Sequence, residues 1–470
     1  MKRILVLALA LCSIAAVAQN NGGISPEMLE QISKGWSGSA SDKALRNAIA
    51  TTSINTLAAN AENAAMIDTE FSDRVKTKGI TDQKSSGRCW LFTGLNVLRA
   101  AAIDKYNLGD FQFSQCYCFF WDLLEKSNLF LQAAIDTRDK SFDDREVDWL
   151  FSHPIGDGGT FTGVADLVTK YGLVPSNVMP ETNPANSTAQ MRSHLGTLLR
   201  QDGIRLREMW EQGMLNAPRS AAKAKKHSAE ILSLMQKEKV SMLKDVYHVL
   251  ALCLGVPPAE FEWKGKTVTP VQFYQELLGY DLHNNYVMLM NDPSREYGKV
   301  YEIQYDRHLY DGHNWLYVNL PAERIKEVAV ASIKANTAMY FSCDVGKFLN
   351  RQKGVLDLAN YDYSSLLGVP FNMDKRERVL THASGSSHAM TLIAVDLKEG
   401  KPVKWMVENS WGASSGYKGY LIMTDEWFDE YMFRLVVEKR FVPADVLQML
   451  SQEPVQLPAW DPMYMPDSDF

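Results

Sequence analysis

Four side chains in this sequence could together break an acyl bond by way of a sulfur nucleophile. In chain order they are Gln83, Cys89, His388 and Asn409. A thiol used in this way needs a base that takes and returns its proton, a partner that orients the base, and N–H donors for the tetrahedral oxyanion. The four residue types can fill these roles once each, so the sequence predicts acyl-transfer chemistry centred on Cys89.

The surroundings of Cys89 favour a reactive thiol. A loop of small residues at 85–87 precedes it, and the apolar spacing at 90–99 predicts a helix that begins at Cys89. The positive end of the helix dipole and a nearby imidazolium would both lower the pKa of this thiol, so we expect a thiolate at neutral pH. Gln83 lies six residues upstream, where a tight loop could set its amide beside the Cys89 N–H as an oxyanion hole.

Two predicted strands would position the base and its partner. His388 directly precedes the apolar run 390–395, and Asn409 ends the run 403–408. Pairing of these strands could bring Asn409 to His388, and Trp411 could shield their hydrogen bond from water. An asparagine orients the ring without neutralising the imidazolium, which suits an ion pair with a thiolate.

The segments around these residues resemble the three catalytic blocks of papain-like cysteine peptidases. The blocks are Gln-Lys-Ser-Ser-Gly-Arg-Cys-Trp at 83–90, Ser-His-Ala-Met at 387–390 and Val-Glu-Asn-Ser-Trp-Gly at 407–412. The gap of 299 residues between Cys89 and His388 is far wider than the papain spacing and resembles the bleomycin hydrolase, or aminopeptidase C, branch. Further stretches resemble that branch at 113–128, 170–175, 343–347 and 457–463, so the resemblance spans roughly 68 to 463.

The resemblance implies an α+β fold, that of a papain-like, two-lobed cysteine peptidase. A helical lobe would carry Cys89, and a β-sheet lobe would carry His388 and Asn409. A large helical insertion would fill the gap between the lobes' catalytic blocks, and a C-terminal tail would lie in the cleft.

In activity, the resemblance implies a thiol aminopeptidase that removes residues from the free amino end of peptides through an acyl-enzyme. The terminal carboxylate of the tail, here that of Phe470, would contact the substrate amine. Gly158 and Gly159 would pair with the extended substrate, because glycine allows close backbone approach. Members of this branch typically form hexameric rings, so a homo-hexamer is implied as well.

The end of the chain departs from the pattern of that branch. Where relatives usually end in a few small residues, this chain continues with Tyr-Met-Pro-Asp-Ser-Asp-Phe at 464–470. Two alternatives therefore stay open. One is an endopeptidase or a peptidase of broader specificity, and the other is a non-catalytic protein that holds peptides in the same groove.

The length of 470 residues and the apolar content of 46% allow one large or two ordinary domains. The predicted segments are a signal peptide at 1–18, an N-terminal extension at 19–63, a helical lobe at 64–187, a mainly helical insertion at 188–290, a β-rich lobe at 291–452 and a C-terminal tail at 453–470. We expect no regular element in the tail, which is Pro-rich and acidic. The basic cluster at 223–227 is interpreted as a solvated helix face.

The N-terminus predicts export. Lys2 and Arg3 precede an apolar run at 4–17, and the small-x-small site at 16–18 is typical of signal cleavage. We therefore expect a periplasmic or extracellular protein whose mature form has no membrane segment. The net charge of −7 makes nucleic acid an unlikely partner, and peptide substrates are the expected ones.

Other candidate residues have plainer interpretations. His382 is a rival base to His388, but no apolar strand follows it. The glycine-rich segment 156–159 lacks the Lys-Ser/Thr of a phosphate loop, and a plain turn remains the alternative to a substrate contact. Cys116 and Cys118 alternate as in a strand without a second pair at metal-ligand spacing, which favours core packing. No metal and no cofactor is expected.

Overall fold

The computed structural model of the chain describes residues 22–63, 68–279 and 281–464. The chain forms two compact units. One comprises the chain up to Asn60 together with Tyr361–Phe371, and the other comprises Ala61–Asn360 together with Asn372–Phe470. The predicted signal peptide at 1–18 and the terminal Phe470 lie outside the described residues.

The described residues form seventeen α-helices, and the longer ones lie mainly in the first half of the chain. In order they are α1 (Pro26–Ser33), α2 (Ala40–Thr51), α3 (Ile54–Ala58), α4 (Cys89–Tyr106), α5 (Gln115–Asp136), α6 (Arg145–Ser152), α7 (Phe161–Tyr171), α8 (Asn183–Asn186), α9 (Ala189–Met214), α10 (Ala221–Leu254), α11 (Pro270–Leu277), α12 (Leu282–Asn285), α13 (Ala322–Lys334), α14 (Tyr363–Leu367), α15 (Lys375–Leu380), α16 (Asp425–Tyr431) and α17 (Ala444–Met449). Across the part of the chain that the structure describes, none of them is both long and apolar enough to cross a membrane.

The first unit consists of short, mostly exposed helices. Ser25, Ser39 and Ser53 cap the N-termini of α1, α2 and α3, and each hydroxyl accepts a hydrogen bond from a backbone N–H of the first turn. Such caps replace hydrogen bonds that the first turn of a helix cannot make internally. The Asp362 backbone N–H, just before α14, donates a hydrogen bond of 2.8 Å to the Ala58 carbonyl. Local capping therefore accounts for helices that bury little apolar surface.

A mixed sheet forms the second half of the larger unit. The strands are β1 (Asp73–Arg74), β2 (Phe261–Trp263), β3 (Lys266–Val268), β4 (Tyr286–Met290), β5 (Val300–Ile303), β6 (Leu316–Asn319), β7 (Met339–Cys343), β8 (Leu349–Asn350), β9 (Val355–Leu356), β10 (His388–Lys398), β11 (Lys401–Glu408), β12 (Tyr420–Thr424), β13 (Met432–Glu438) and β14 (Val455–Leu457). Twelve of them join in the order β14-β5-β6-β4-β13-β7-β10-β11-β12-β9-β8, with β1 also paired to β10, and β2 and β3 form a separate hairpin.

The strand β10 lies inside this sheet, between β7 and β11. Both neighbours run antiparallel to it, with His388 opposite Cys343 and Thr391 opposite Glu408. Its residues are buried from His388 to Val395, which is the pattern of a strand covered on both faces. The helix α4, apolar on nearly all sides, packs against β10. The element that begins at Cys89 therefore packs on the element that begins at His388.

The two longest helices, α9 and α10, lie within the predicted insertion at 188–290. They pack on each other and on α5. Their buried side chains recur at helical spacing, as Leu195, Leu199 and Leu206 on α9 and Met235, Met242 and Val246 on α10. The lysines at 223, 225 and 226 are exposed, which confirms a solvated helix face. The same range ends with β4, which pairs with β13 and β6 in the sheet.

The two strands predicted at 390–395 and 403–408 are present as β10 and β11, with ends that differ by a few residues. Two predictions were wrong. Cys116 and Cys118 lie on α5, not on a strand, because their alternation is part of a longer apolar run that is buried around most of the helix. The tail does contain a regular element, since Val455–Leu457 adds to β5 as a parallel strand.

Candidate active site

Cys89 is the first residue of α4, as the sequence predicted, and its side chain is fully buried. The guanidinium of the preceding Arg88, also buried, donates two hydrogen bonds of 3.1 and 2.7 Å to the Glu181 carboxylate. On the other side of the cysteine, the Trp90 indole donates a hydrogen bond of 2.8 Å to the Asp157 carbonyl. Charge-assisted and buried contacts thus fix the loop on both sides of the sulfur.

His388 and Asn409 meet where their strands pair. The distance from His388 Nε2 to Asn409 Oδ1 is 2.8 Å, and both side chains are buried. Asn409 Oδ1 also accepts a hydrogen bond of 2.8 Å from the Ser410 backbone N–H, which identifies this atom as the carboxamide oxygen. Because an oxygen accepts, His388 Nε2 must donate, and Nδ1 is the nitrogen that can exchange a proton with a thiol.

Trp411 covers this pair. Its indole stacks on the His388 imidazole, with 4.9 Å between ring centroids and 26° between planes. The next residue, Gly412, has φ of +80°, and a Cβ there would lie 2.7 Å from Asp82 Oδ2. The positive φ and the close contact with Asp82 both require glycine at this position. The segment after β11 is thereby held against the segment that leads to Gln83, and the Gly412 N–H donates to the Thr81 carbonyl at 3.0 Å.

Hydrogen bonds orient the Gln83 carboxamide. Its Oε1 accepts from Ser410 Oγ at 2.6 Å, and its Nε2 donates to the Ser86 carbonyl at 2.7 Å. The nitrogen side of the amide therefore faces the loop that leads to Cys89. Ser410 was not singled out from the sequence; the signal that could have found it is its place directly after Asn409.

A buried ion pair joins α4 to the end of β11, close to the residues described above. Arg99 on α4 and Glu408 at the end of β11 lie 2.6 Å apart, with exposed side-chain fractions of 3% and 1%. Burial raises the pKa of Glu408 and lowers the pKa of Arg99, while each charge counteracts the effect on the other. The pair joins the Cys89 helix to the residue before Asn409. Sequence reasoning missed it because the partners are 309 positions apart.

A cavity of about 800 Å³ lies beside the glycine-rich segment. Its wall includes Gly158, Gly159, Trp149, Tyr305, Trp460 and Tyr464. The segment is anchored to the Cys89 loop, because Asp157 Oδ2 accepts a hydrogen bond of 2.9 Å from the Gly87 N–H. The predicted substrate-contacting glycines and the tail thus border one space, next to the loop that carries the sulfur.

The glycine pair rests on a buried polar cluster. The Lys126 ammonium donates to the Gly158 carbonyl at 2.7 Å and to Asp122 at 2.8 Å, and Asp122 in turn lies 2.5 Å from His308 Nδ1. Burial and the Lys126 charge lower the pKa of His308, which is therefore neutral. A Cβ at Gly159 would lie 2.2 Å from His308 Cε1, so this packing requires glycine. Contact of either glycine with a substrate stays a prediction.

Several contacts hold the C-terminal tail in the wall of this cavity. Asp461 forms an ion pair with Arg295, and the Arg434 guanidinium donates a hydrogen bond of 2.9 Å to the Met463 carbonyl. Met463 is fully buried, and the Tyr464 ring meets Trp149 edge-on at 5.0 Å between centroids. The last described residue of the chain therefore lies in the cavity wall. The predicted contact of Phe470 falls outside the described residues.

Other cysteines and the alternative base His382 lack the surroundings of Cys89 and His388. Burial raises the pKa of Cys116 to about 12 and also raises the pKa values of Cys118 and Cys253, so these thiols stay protonated at neutral pH. The five described cysteines form no disulfide with one another. His382 is exposed on the loop after α15, whereas the hydrogen bond to Asn409 is made by His388.

Comparisons with known proteins place the chain among peptidases. The model of the Peptidase C1-like family matches residues 23–464. Bleomycin hydrolase from Mus musculus is 40% identical over 406 residues, covering 82% of this chain and 86% of that protein. Aminopeptidase C from Lactobacillus delbrueckii subsp. lactis is 35% identical over 432 residues, covering 89% and 92%. The crystal structure of PepW from Lactobacillus rhamnosis superimposes with a TM-score of 0.85 at 32% identity, covering 95% of this chain and 99% of that one.

Fold, site and comparisons together define a papain-like α+β cysteine peptidase. Within that class, the chain belongs to the Peptidase C1-like family and to its bleomycin hydrolase and aminopeptidase C group. The fold and family predicted from the sequence are confirmed.

Proposed function

We propose that the protein is a thiol aminopeptidase whose C-terminal tail limits which peptides reach Cys89. The observation that carries the proposal is the course of the tail, which is anchored as far as Met463 and Tyr464 in the wall of the cavity that Gly158 and Gly159 also line. In this proposal, a peptide lies along these glycines with its amino end toward the space that the tail borders. Relatives named aminopeptidase C agree with this direction.

Acylation uses the geometry around Cys89. The thiolate attacks the carbonyl carbon of the first peptide bond, and a C–S bond and an oxyanion form. A carboxamide nitrogen has two N–H groups, so Gln83 can donate one hydrogen bond to the Ser86 carbonyl and another to the oxyanion. The second donor to the oxyanion is the Cys89 backbone N–H, which lies in the first turn of its helix and points out of it. The His388 imidazolium gives its Nδ1 proton to the departing nitrogen, the C–N bond breaks, and a thioester remains.

Deacylation reverses the roles. Neutral His388 takes a proton from water at Nδ1, and the hydroxide adds to the thioester carbonyl. The C–S bond breaks, the acid leaves, and the thiolate and imidazolium are restored. Asn409 holds Nε2–H throughout, so proton exchange stays on Nδ1. The stacked Trp411 keeps water from that hydrogen bond.

A pair of substrates tests this function. We expect the intact chain to cleave an aminoacyl fluorophore with a free amine and to reject its N-acetyl counterpart. Deleting residues 464–470 should open the cavity, so that the truncated chain cleaves both substrates, while its turnover of the free amine shows that it is folded.

Other outcomes would favour the other candidates. Equal cleavage of the free and blocked substrates by the intact chain would exclude tail control and favour an endopeptidase or broader peptidase. Binding of both substrates without turnover of either would favour a peptide-binding protein.

Export and a hexamer are part of the same proposal, supported by the N-terminal sequence and by the family resemblance. Fractionation of cells should find the protein in the periplasm or medium with an N-terminus near residue 19. Light scattering on the mature protein should give the mass of six chains; a monomer mass at working concentration would exclude the ring.

A further inference from the structure

A histidine pair and a carboxylate meet beside α7, outside the set of residues that the proposed mechanism uses. Asp166 on α7 is buried, with 5% of its side chain exposed, and its Oδ1 lies 2.9 Å from His283 Nε2 and 2.7 Å from His313 Nδ1. The two imidazole centroids are 4.1 Å apart. One oxygen thus faces a ring nitrogen of each histidine.

The backbone fixes which carboxylate oxygen is available. Asp166 Oδ2 accepts a hydrogen bond of 2.9 Å from the His313 backbone N–H, and a Cβ at Gly312 would lie 2.5 Å from the same oxygen. Oδ2 is therefore enclosed by the loop, and Oδ1 is turned toward the two rings.

We propose that Asp166, His283 and His313 bind a divalent transition-metal ion of the zinc class. One donor atom from each residue lies within 4.8 Å of the others, which a small shift of side chains can close around one ion. Two imidazole nitrogens and one carboxylate oxygen are donors that Zn²⁺ takes at about 2.0–2.2 Å, whereas Mg²⁺ and Ca²⁺ prefer oxygen alone. Three protein ligands leave a fourth position for water.

The site has a route of entry and room to adjust. His313 is 63% exposed and lies on the loop between β5 and β6, while His283 is 22% exposed at the short helix α12. Ligand nitrogens and oxygens around tetrahedral zinc are roughly 3.3 Å apart given bonds of about 2.0 Å. The ring nitrogens of His283 and His313, at 2.9 and 2.7 Å from Asp166 Oδ1, would each move outward by about half an ångström to reach that spacing.

An ion here would join three elements close to the peptidase cavity. The loop that carries His313 also supplies Tyr305 and His308 to the cavity wall, and α7 begins directly after Gly159 and Thr160. Metal binding would fix this loop against α7. Its role is therefore to stabilise one wall of the cavity, separately from the thiol chemistry.

The metal site was not expected from the sequence. Its residues are spread over 166 to 313, and none of them forms a local metal-binding motif with another. Only the packing of α7, α12 and the loop brings them together.

Cobalt binding tests the site without interference from the nucleophile. The mature full-length chain is first alkylated at Cys89, stripped of metal with a chelator, and titrated with Co²⁺, whose visible ligand-field bands report a tetrahedral environment of nitrogen and oxygen donors. We expect one Co²⁺ per chain, displaced by Zn²⁺. His283→Ala and His313→Ala should each raise the dissociation constant at least about tenfold, the lower end of the effect of losing even an outer-shell partner.

His248→Ala is the matched control, because that histidine is exposed on α10 away from the cluster. It should bind Co²⁺ as the parent does, and melting of all metal-free variants should show that they are folded. Absence of the bands in the parent, or equal affinity in His313→Ala and His248→Ala, would overturn the proposal. Since Cys89 is blocked throughout, neither result bears on the peptidase activity.

Discussion

The catalytic cluster, which comprises Gln83, Cys89, His388 and Asn409, is held differently from the tail. Hydrogen bonds of 2.6 to 2.8 Å link Gln83, Ser410, Asn409 and His388 inside the protein. The tail anchor, by contrast, consists of separate contacts made by Asp461, Met463 and Tyr464 with residues far away in sequence. In the proposed function, chemistry depends on one cooperative network, and access depends on contacts that can be removed singly. We expect mutations to separate the two.

The largest effect is expected from Cys89→Ala, which removes the nucleophile and leaves the tail in place. Turnover of a free-amine substrate should fall at least about 10⁴-fold, as for other acyl-transfer enzymes that lose their nucleophile. Steady-state kinetics measures the loss, and Cys253→Ala, a half-buried thiol on α10, is the control that should keep parental activity. Activity within tenfold of the parent in Cys89→Ala would show that the chemistry lies elsewhere.

Removal of the Arg99 charge, which pairs with Glu408 next to Asn409, should lower mainly the stability of the fold. Arg99→Met leaves Glu408 buried without its partner, and breaking a buried pair in this way costs about 3–5 kcal/mol in the free energy of unfolding. Urea denaturation measures it. The double variant Arg99→Met with Glu408→Gln should recover most of the loss, since no uncompensated charge remains. A single variant as stable as the parent would show that the network is less cooperative than its geometry implies.

Gln83→Ala should reduce the rate without changing access. Loss of one oxyanion donor lowers kcat about 10²–10³-fold, equivalent to about 2.7–4 kcal/mol, and KM should change little because the interaction forms in the transition state. The ratio of free-amine to blocked-amine cleavage should stay as in the parent. A changed ratio would mean that Gln83 also positions the tail, and the contrast between the two regions would fail.

A change in the tail anchor should alter substrate preference and leave the rate unchanged, which is the opposite of the result expected for Gln83→Ala. Asp461→Asn weakens the ion pair with Arg295, and loss of about 1 kcal/mol of anchoring should lower the preference for free amines about 5-fold. The value of kcat for free amines should be unchanged. Competition assays with both substrates measure the preference. Asp110→Asn, which neutralises the carboxylate of an exposed pair with Lys78 at 3.6 Å, is a charge-matched control that should have no effect.

The smallest effect concerns neither region. Burial and the nearby Asp245 carboxylate raise the pKa of Asp202 on α9 to about 6. Between about pH 4 and 6 the folded chain keeps a proton that the unfolded chain has released, so stability falls as pH rises through this window. Asp202→Asn should therefore stabilise by about 1 kcal/mol at pH 7.5, with the gain disappearing near pH 4. Thermal melting against pH measures it, with exposed Glu208→Gln as the control; a gain that persists at pH 4 would refute this cause.

The sequence singled out the proposed catalytic cluster because each member lies in a short motif next to a strongly apolar element. Cys89 begins α4, and His388 begins β10. Contacts that depend on the tertiary fold were not predictable in this way. Arg99 with Glu408 and Lys126 with Gly158 join residues whose separation in sequence carries no periodic signal. The strand β14 was missed because three residues beside prolines give too short a pattern, and only pairing with β5 makes it a strand.

The most direct test of a charged sulfur at position 89 is the rate of its alkylation by iodoacetamide at neutral pH, followed residue by residue with mass spectrometry. Cys253, whose pKa is raised by burial although it is less buried than Cys116 and Cys118, serves as the internal reference. We predict that Cys89 reacts far faster than Cys253 in the parent and that His388→Ala removes most of the difference. Equal rates at the two cysteines in the parent would contradict a thiolate held by His388.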